Sequence, residues 1–340
     1  MTRDIILFHP YENTSNTYIE RMREIYSKNR NVKSFTTFLR THPLSGREVK
    51  AVVFNWVESS PIYHFVLFLI WTKVFGIKII WTFHNKLPHE SSSNILANIK
   101  MYSMELLSNK IVLHSKQSLH ELRTERAKRK AVYIPHIHYI NAYNNSGKFP
   151  LIELDSSNRI IYLFLGMLRP YKNIELLISA FKEIALPNSH LVIAGKPFND
   201  EYKYSIESMC SGIHNITLDL RFIPDSEMPD YLESTDVLVL PYNKTSSMNS
   251  GTMIMAFSYR CPVIIPDIPM AKDWDGTNTC FMYTYTADNH KEKLKEAMVS
   301  AYNAGKDGLK LMGENGFNIV QSTHDYVTLT RDVDTMLERL

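Results

Sequence analysis

Cysteine is scarce in this chain of 340 residues. Cys210, Cys261 and Cys280 are odd in number and show no Cys-x-x-Cys spacing, which speaks against a disulfide framework or a zinc site and suits a reducing cytoplasm. No Gly-x-Gly-x-x-Gly follows any apolar run, so the fingerprint of nicotinamide and flavin cofactors is missing. Long hydrophobic runs are missing as well. The most apolar segment, Pro61 to Trp81, is interrupted by His64, Lys73, Gly76 and Lys78, and its charge-free core falls short of the roughly 20 residues a spanning helix needs. It reads as a buried helix over 61–75 followed by a strand over 77–82. Ile5 to Phe8 is too short for the apolar core of a secretory signal. No aromatics alternate with the basic residues as single-strand binding requires, so nucleic acid is not an expected partner.

What is present is an ordinary soluble composition, 44% hydrophobic, with an uneven charge. Residues 1–150 carry 21 Lys and Arg against 10 Asp and Glu, and the remainder carries 17 against 25. The basic clusters Arg21, Arg23, Lys28, Arg30 and Arg123, Arg126, Lys128, Arg129, Lys130 would suit an anionic lipid surface or an anionic acceptor. Glu121 and Glu125 interleave with the second cluster, which equally suits a solvated helix face.

Strand-like and helix-like segments alternate along the whole chain. Strands are expected at 4–9, 51–56, 77–82, 111–114 and 131–135, with helices near 16–29, 61–75, 94–108 and 116–128. A polar stretch, Asn141 to Lys148, looks like a linker. The alternation then restarts, with strands at 160–165, 190–194, 216–220, 237–240 and 262–265. Repeated β-α alternation means α/β domains with parallel, doubly wound sheets. The expected organisation is a Rossmann-like domain over 1–150, a second over 151–320, and a C-terminal helix over 321–340.

Ligands in such sheets bind at the carboxyl ends of the strands. The stretch from Asp236 to Asp267 reads as strand, polar loop, helix, strand, and its helix start around Ser250, Gly251 and Thr252 is an anion site by geometry. The same residues also suit a plain Ser or Thr cap. At the end of the strand 160–165 the sequence runs FLGMLRPYKN. Gly166 permits a tight turn, and Arg169 and Lys172 bring two cations to the start of the next helix.

The blocks FLGMLRPYKNIELLISAF, LVIAGKP, RFIPDSEMPDYLESTDVLVLPY and SGTMIMAFSYRCPVIIPD, in that order, resemble the donor half of GT-B glycosyltransferases close to family 4. In the first half, NTY at 16–18, NWVE at 55–58, WTFHNKLPHE at 81–90 and IPHIHYINAY at 134–143 are similar to bacterial capsule and exopolysaccharide members, some of them β-mannosyltransferases. The resemblance implies two Rossmann-like domains facing a cleft, a C-terminal helix over 321–340 that crosses back to the first domain, and transfer of a hexose from a GDP- or UDP-sugar to a glycan or lipid-linked saccharide. It implies a cytoplasmic enzyme of surface polysaccharide synthesis, peripheral on the inner face of the membrane.

By the same resemblance, Arg169 and Lys172 neutralise the departing diphosphate, the N–H groups of Ser250, Gly251 and Thr252 hold its terminal phosphate, and the base lies against Arg221, Phe222 and Ile223. No metal or other cofactor is called for, since fixed cations do that work; the Asp-x-Asp pairs Asp273/Asp275 and Asp332/Asp334 are set aside as noise in a chain with 15 Asp. The acceptor belongs to the first domain. Glu58, His84 and Glu90 are the candidates for the catalytic base, with Asn16, Asn85 and His89 around the sugars. The sequence departs from family 4 in one respect. Ser247 and Met255 stand where the Glu-x7-Glu motif is expected, and no Glu occurs between Glu233 and Glu292. Another group that holds the ribose, a subgroup that uses Ser-Gly-Ser/Thr, a catalytically silent nucleotide-sugar-binding or scaffold protein, and a nucleotide-sugar epimerase are the readings left open; inversion and retention are not distinguished.

Overall fold

The computed structural model describes residues 3–11, 16–85, 95–143 and 159–340. Two compact units divide it, Met1–Ile137 with Thr323–Leu340, and His138–Ser322. Each is built on six parallel strands.

In the first unit β1 (Ile5–His9), β2 (Asn31–Ser34), β3 (Val49–Phe54), β4 (Lys78–Thr82), β5 (Lys110–Leu113) and β6 (Ala131–Tyr133) lie in the order β2-β1-β3-β4-β5-β6. Among the described residues five α-helices connect them: α1 (Thr17–Ser27), α2 (Phe35–Thr41), α3 (Ile62–Phe75), α4 (Ile95–Leu107) and the short α5 (Glu125–Lys128). Period-two alternation sends neighbouring strand residues to opposite faces. Ile6, Phe8, Ala51 and Val53 pack with Ile19, Met22 and Ile25 of α1. On the other face the Phe54 ring meets Phe68 of α3 at 4.9 Å and Phe35 of α2 at 6.0 Å. Burial on both faces is why the strands read as unbroken apolar runs.

Two expectations for this unit need correction. The segment 61–75 is a helix, but not a buried one. Phe65, Phe68 and Thr72 face the core, while Ile62, Tyr63, Val66, Leu67, Ile70 and Val74 are exposed. The segment 116–128 is a 3-10 turn over Gln117–Glu121 followed by α5, because Thr124 breaks away to cap the Ala127 N–H with its hydroxyl. The strand β2 and helix α2 carry no clear periodicity over their four and seven residues and fall outside the sequence expectation.

The second unit contains β7 (Ile160–Leu165), α6 (Ile174–Ile184), β8 (Ser189–Ala194), α7 (Asp200–Cys210), β9 (Ile216–Asp219), α8 (Met228–Glu233), β10 (Val237–Val239), α9 (Gly251–Ser258), β11 (Val263–Pro266), α10 (Pro269–Lys272), β12 (Cys280–Tyr283) and α11 (His290–Thr323). The strand order β12-β11-β10-β7-β8-β9 reverses direction at β7, so the switch point lies between β7 and β10. Every residue of β7 is buried. Gly305, at φ 63° and ψ 176°, interrupts the long α11.

After α11 the chain returns to the first unit as α12 (Tyr326–Glu338). Asp325 caps it by accepting from the Val327 and Thr328 N–H groups. Leu329, Val333, Met336 and Leu337 join the core that α1 lines. Asp334 pairs with Arg30, and the Tyr326 hydroxyl donates to Glu24. Among the described residues no helix is long and apolar enough to cross a membrane.

Candidate functional site

In the second unit the sequence-predicted cations meet at the switch point. Gly166 leaves β7 at φ +127° and Gly195 leaves β8 at φ +148°. A Cβ on Gly195 would meet the Gly166 carbonyl oxygen at 1.9 Å, so only glycine lets the two strand ends run this close. The chain then makes a 3-10 turn, Pro170–Lys172, and enters α6 through Asn173 in the left-handed region at φ 54°. The Asn173 amide donates to the Pro241 carbonyl at 2.8 Å, and the Asn243 N–H donates to Tyr171 O at 2.9 Å. The loop after β7 is thereby tied to the loop after β10.

This turn sets the Lys172 ammonium 5.7 Å from the Phe164 ring centroid and 5.8 Å from that of Tyr242. Burial, and then the neighbouring Arg169, lower its pKa to about 8. No carboxylate among the described residues offsets this charge. The Arg169 guanidinium lies 4.8 Å from the ring of Phe198, which is half exposed. Ser250 caps α9, its Oγ accepting from the Met253 N–H at 3.1 Å. The hydroxyls of Ser250 and Thr252 both hydrogen-bond the Tyr242 phenol, whose pKa burial raises. Tyr242 thus connects the Lys172 pocket to the start of α9. Arg169, Lys172, Ser250, Gly251 and Thr252 form one cluster, with Tyr242, Phe198 and Gly195 as members that sequence reasoning missed. An aromatic directly after a strand-end Gly-Lys-Pro was the available signal for Phe198.

The residues expected to hold a base divide. The Phe222 ring is 63% exposed beyond β9, two strand spacings or about 10 Å from β7. The Ile223 side chain belongs to the core, so any contact it makes with a ligand falls to its backbone. Arg221 is held by Asp219 at 3.1 Å and by Glu227. Ser247 and Met255 are both buried, and Met255 packs in the core. Asp267, at the end of β11, is a nearby carboxylate that pairs with Lys244 at 3.5 Å.

In the first unit polar groups gather at the carboxyl ends of β1, β3, β4 and β5. Asn55 donates its amide to the His9 carbonyl at 3.0 Å, which fixes the amide orientation and turns Oδ1 toward His84 Nε2, also at 3.0 Å. Nε2 therefore carries the proton and Nδ1 the lone pair. Trp56, in the left-handed region at φ 46°, stacks on the His84 ring at 4.6 Å. Tyr18 OH bonds His114 Nε2 at 2.7 Å, while His114 Nδ1 donates to Ile134 O at 2.8 Å. Burial, then the proximity of His114 and His136, holds His84 well below its ordinary pKa, so it is neutral near pH 7.

Asn85 donates to Glu58 Oε1 at 2.9 Å, so these two candidates do meet. Beneath them the buried Lys100 donates to the carbonyls of Glu58, at 2.5 Å, and Ser60, at 2.7 Å, fixing the turn that presents Glu58. Burial lowers the Lys100 pKa, and Glu58 pulls it up. Asn16 caps α1 by accepting from the Tyr18 N–H at 3.1 Å, a structural task that the sequence reading did not give it. His89 and Glu90 lie outside the described residues.

The fold has counterparts among known proteins. Over 99% of this chain and 100% of the other, the structure matches Anabaena HepE in complex with UDP, with a TM-score of 0.76 at 14% identity. It also matches sucrose-phosphate synthase from Thermosynechococcus elongatus, with a TM-score of 0.74 at 13% identity over 99% of each chain. The chain has the GT-B fold. Residues 152–304 match the glycosyl transferases group 1 model, and the sequence is 24% identical over 200 residues to a GDP-mannose:glycolipid 4-beta-D-mannosyltransferase of Xanthomonas campestris. By fold and sequence it resembles GT-B glycosyltransferases of the family 4-like type. The alignment takes in 59% of this chain and 53% of the Xanthomonas protein, so it spans about half the length of that relative.

Proposed function

We propose that this chain transfers a hexose from a GDP- or UDP-sugar to a hydroxyl of a glycan or lipid-linked saccharide, in surface polysaccharide synthesis on the inner face of the membrane. The observation that carries the reading is Lys172. An ammonium without a carboxylate partner among the described residues, set among aromatic rings beside Arg169 at the switch point, is a site for a multiply charged anion. A diphosphate supplies that anion. Arg169 and Lys172 stabilise the charge that develops as the sugar–phosphate bond breaks, and the N–H groups at the start of α9 receive the terminal phosphate. The exposed Phe222 ring offers a stacking surface for the base.

On the acceptor side Glu58, oriented by Asn85 and by the Lys100 clamp beneath it, takes the acceptor proton. His84 is held neutral and is too weak a base for that step, so it accepts a hydrogen bond and positions the acceptor. Both donor nucleotides stay in the proposal. The Xanthomonas relative is named for GDP-mannose, and the Anabaena neighbour binds UDP.

Thermal unfolding with GDP, UDP, dTDP and ADP, each with and without magnesium, tests the donor site. A ligand at about 100 times its dissociation constant stabilises by roughly 2.7 kcal/mol. One diphosphate should raise the midpoint without metal; no shift from any of them would end the reading. The buried Ser247 and Met255, standing where family acids are expected, favour the silent nucleotide-binding alternative. Nucleotide binding with no hydrolysis or transfer of the matching sugar would select it.

A further inference from the structure

We propose that the face of the first unit formed by α3 and α4 docks on an anionic lipid bilayer. The inference extends the lipid-linked-acceptor reading above and takes its purpose from it, although docking itself requires no transfer.

The starting point is that α3 is apolar all round. One stripe is core, and the opposite stripe exposes Val66 at 45%, Leu67 at 60%, Ile70 at 54% and Val74 at 70%. A helix of this kind ordinarily belongs inside a protein or a membrane. At 14 residues it is too short to span a bilayer, which leaves lying in the interface. The helix α4 repeats the pattern with Ile95, Ile99, Tyr102 and Leu107 exposed.

Topology makes these one surface. The path β3 to β4 to β5 runs in a single direction across the sheet, and right-handed crossovers place α3 and α4 side by side on one face. Ile70, Val74 and Leu107 line a common groove of about 600 Å³. Trp71 extends the surface by donating to the Pro43 carbonyl, which brings the loop carrying the exposed Leu44 alongside α3. An apolar patch of this breadth marks an interaction site.

Charge selects the occupant. The helix α3 contains no acidic residue, and the single acid of α4, Glu105, is buried against Arg123. The cations are on the surface. Lys73 and Lys78 line the groove, Arg3 and Arg47 flank the end of α3 at Val74 and Phe75, and the Arg123 guanidinium lies 5.9 Å from the Tyr102 ring. Apolar side chains rimmed by cations, with no exposed acid on either helix, match an anionic lipid surface. The sequence had pointed to two basic clusters for this task, and Arg123 belongs to the second. The arginines of the first are engaged elsewhere: Arg21 over Tyr326, Arg23 with Tyr11 and Arg30 with Asp334, on the face where α1 meets α12.

The docking face leads to the acceptor cluster. Lys100 of α4 clamps the Glu58 turn, and α3 starts two residues after Ser60. A saccharide carried on a membrane-anchored lipid would emerge from the bilayer beside Glu58.

The test is flotation of the full chain with vesicles of phosphatidylcholine alone and of phosphatidylcholine mixed with phosphatidylglycerol. Binding is expected to the mixed vesicles and to fall as salt rises. Leu67→Gln and Ile70→Gln should each weaken it about tenfold, and Lys73→Gln and Lys78→Gln about fivefold each on anionic vesicles. These side chains are at the surface, so the midpoint of unfolding and its shift with nucleotide should stay at the wild-type values. No binding to mixed vesicles, or binding that these substitutions leave unchanged, overturns the proposal. A dimer dissolved by Leu67→Gln, without vesicle binding, would give the face to a second copy and overturn it too. Vesicle binding by a chain that no nucleotide stabilises would end the donor reading and leave the docking face standing.

Discussion

A Cβ on Gly195 would stand 1.9 Å from the carbonyl oxygen of Gly166. The two strand ends that frame the Lys172 pocket touch backbone to backbone there, and no side chain can be inserted without moving one of them. Gly195→Ala is therefore expected to cost about 2–4 kcal/mol, from the clash and the positive φ together, and to weaken nucleotide binding. Gly212 has a positive φ of 75° but nothing within 4 Å, so Gly212→Ala should cost only about 1–2 kcal/mol. Denaturant titration of both variants checks the pair, and equal losses would refute the close-approach account.

Replacing either cation with alanine should reduce turnover about a hundredfold, the effect of losing one group that stabilises developing charge. Arg169→Ala and Lys172→Ala at wild-type rates, measured at saturating donor, would remove the diphosphate from this site.

Lys172 also gives the donor site a pH dependence. Its pKa of about 8 means that the ammonium is charged below that pH and neutral above it. Diphosphate affinity should fall as pH rises through 8, and binding near pH 8 should take up a proton, because the anion favours the charged amine. Calorimetry in buffers of different ionisation heat reads the uptake. Lys172→Ala should abolish it.

Glu58→Gln keeps an acceptor for the Asn85 amide and removes the charge. We expect turnover to fall about a hundredfold or more, with the nucleotide-induced thermal shift intact. Full activity in this variant would transfer the base to another group.

The buried histidines predict instability in acid. His114 and His136 are lowered to about 4 and about 3, chiefly by burial, against an ordinary value near 6.5. The unfolded chain binds their protons first, so stability is intact above about pH 6.5 and declines as pH falls toward 4. Each histidine contributes a slope of about 1.4 kcal/mol per pH unit within that window. Denaturation at several pH values should show it, and His114→Gln should make the decline shallower.

The alternation of apolar runs with helical stretches determined the α/β class and the two parallel sheets, because strands buried on both faces can be written only as continuous apolar runs. Spacing alone likewise brought Arg169, Lys172 and the Ser250 helix start to strand ends, since a βα turn carries little else. Tertiary structure decided what had no local signature. A helix that is apolar on every side gives no indication of which side is covered, and only the fold shows that Leu67 and Ile70 of α3 are bare. Arg21, Arg23 and Arg30 read as surface charge until α12 and Tyr11 supplied their partners. The pocket around Lys172 depends on a ring from β7 and a ring beyond β10, roughly eighty residues apart in sequence, brought together because the strand order reverses between them.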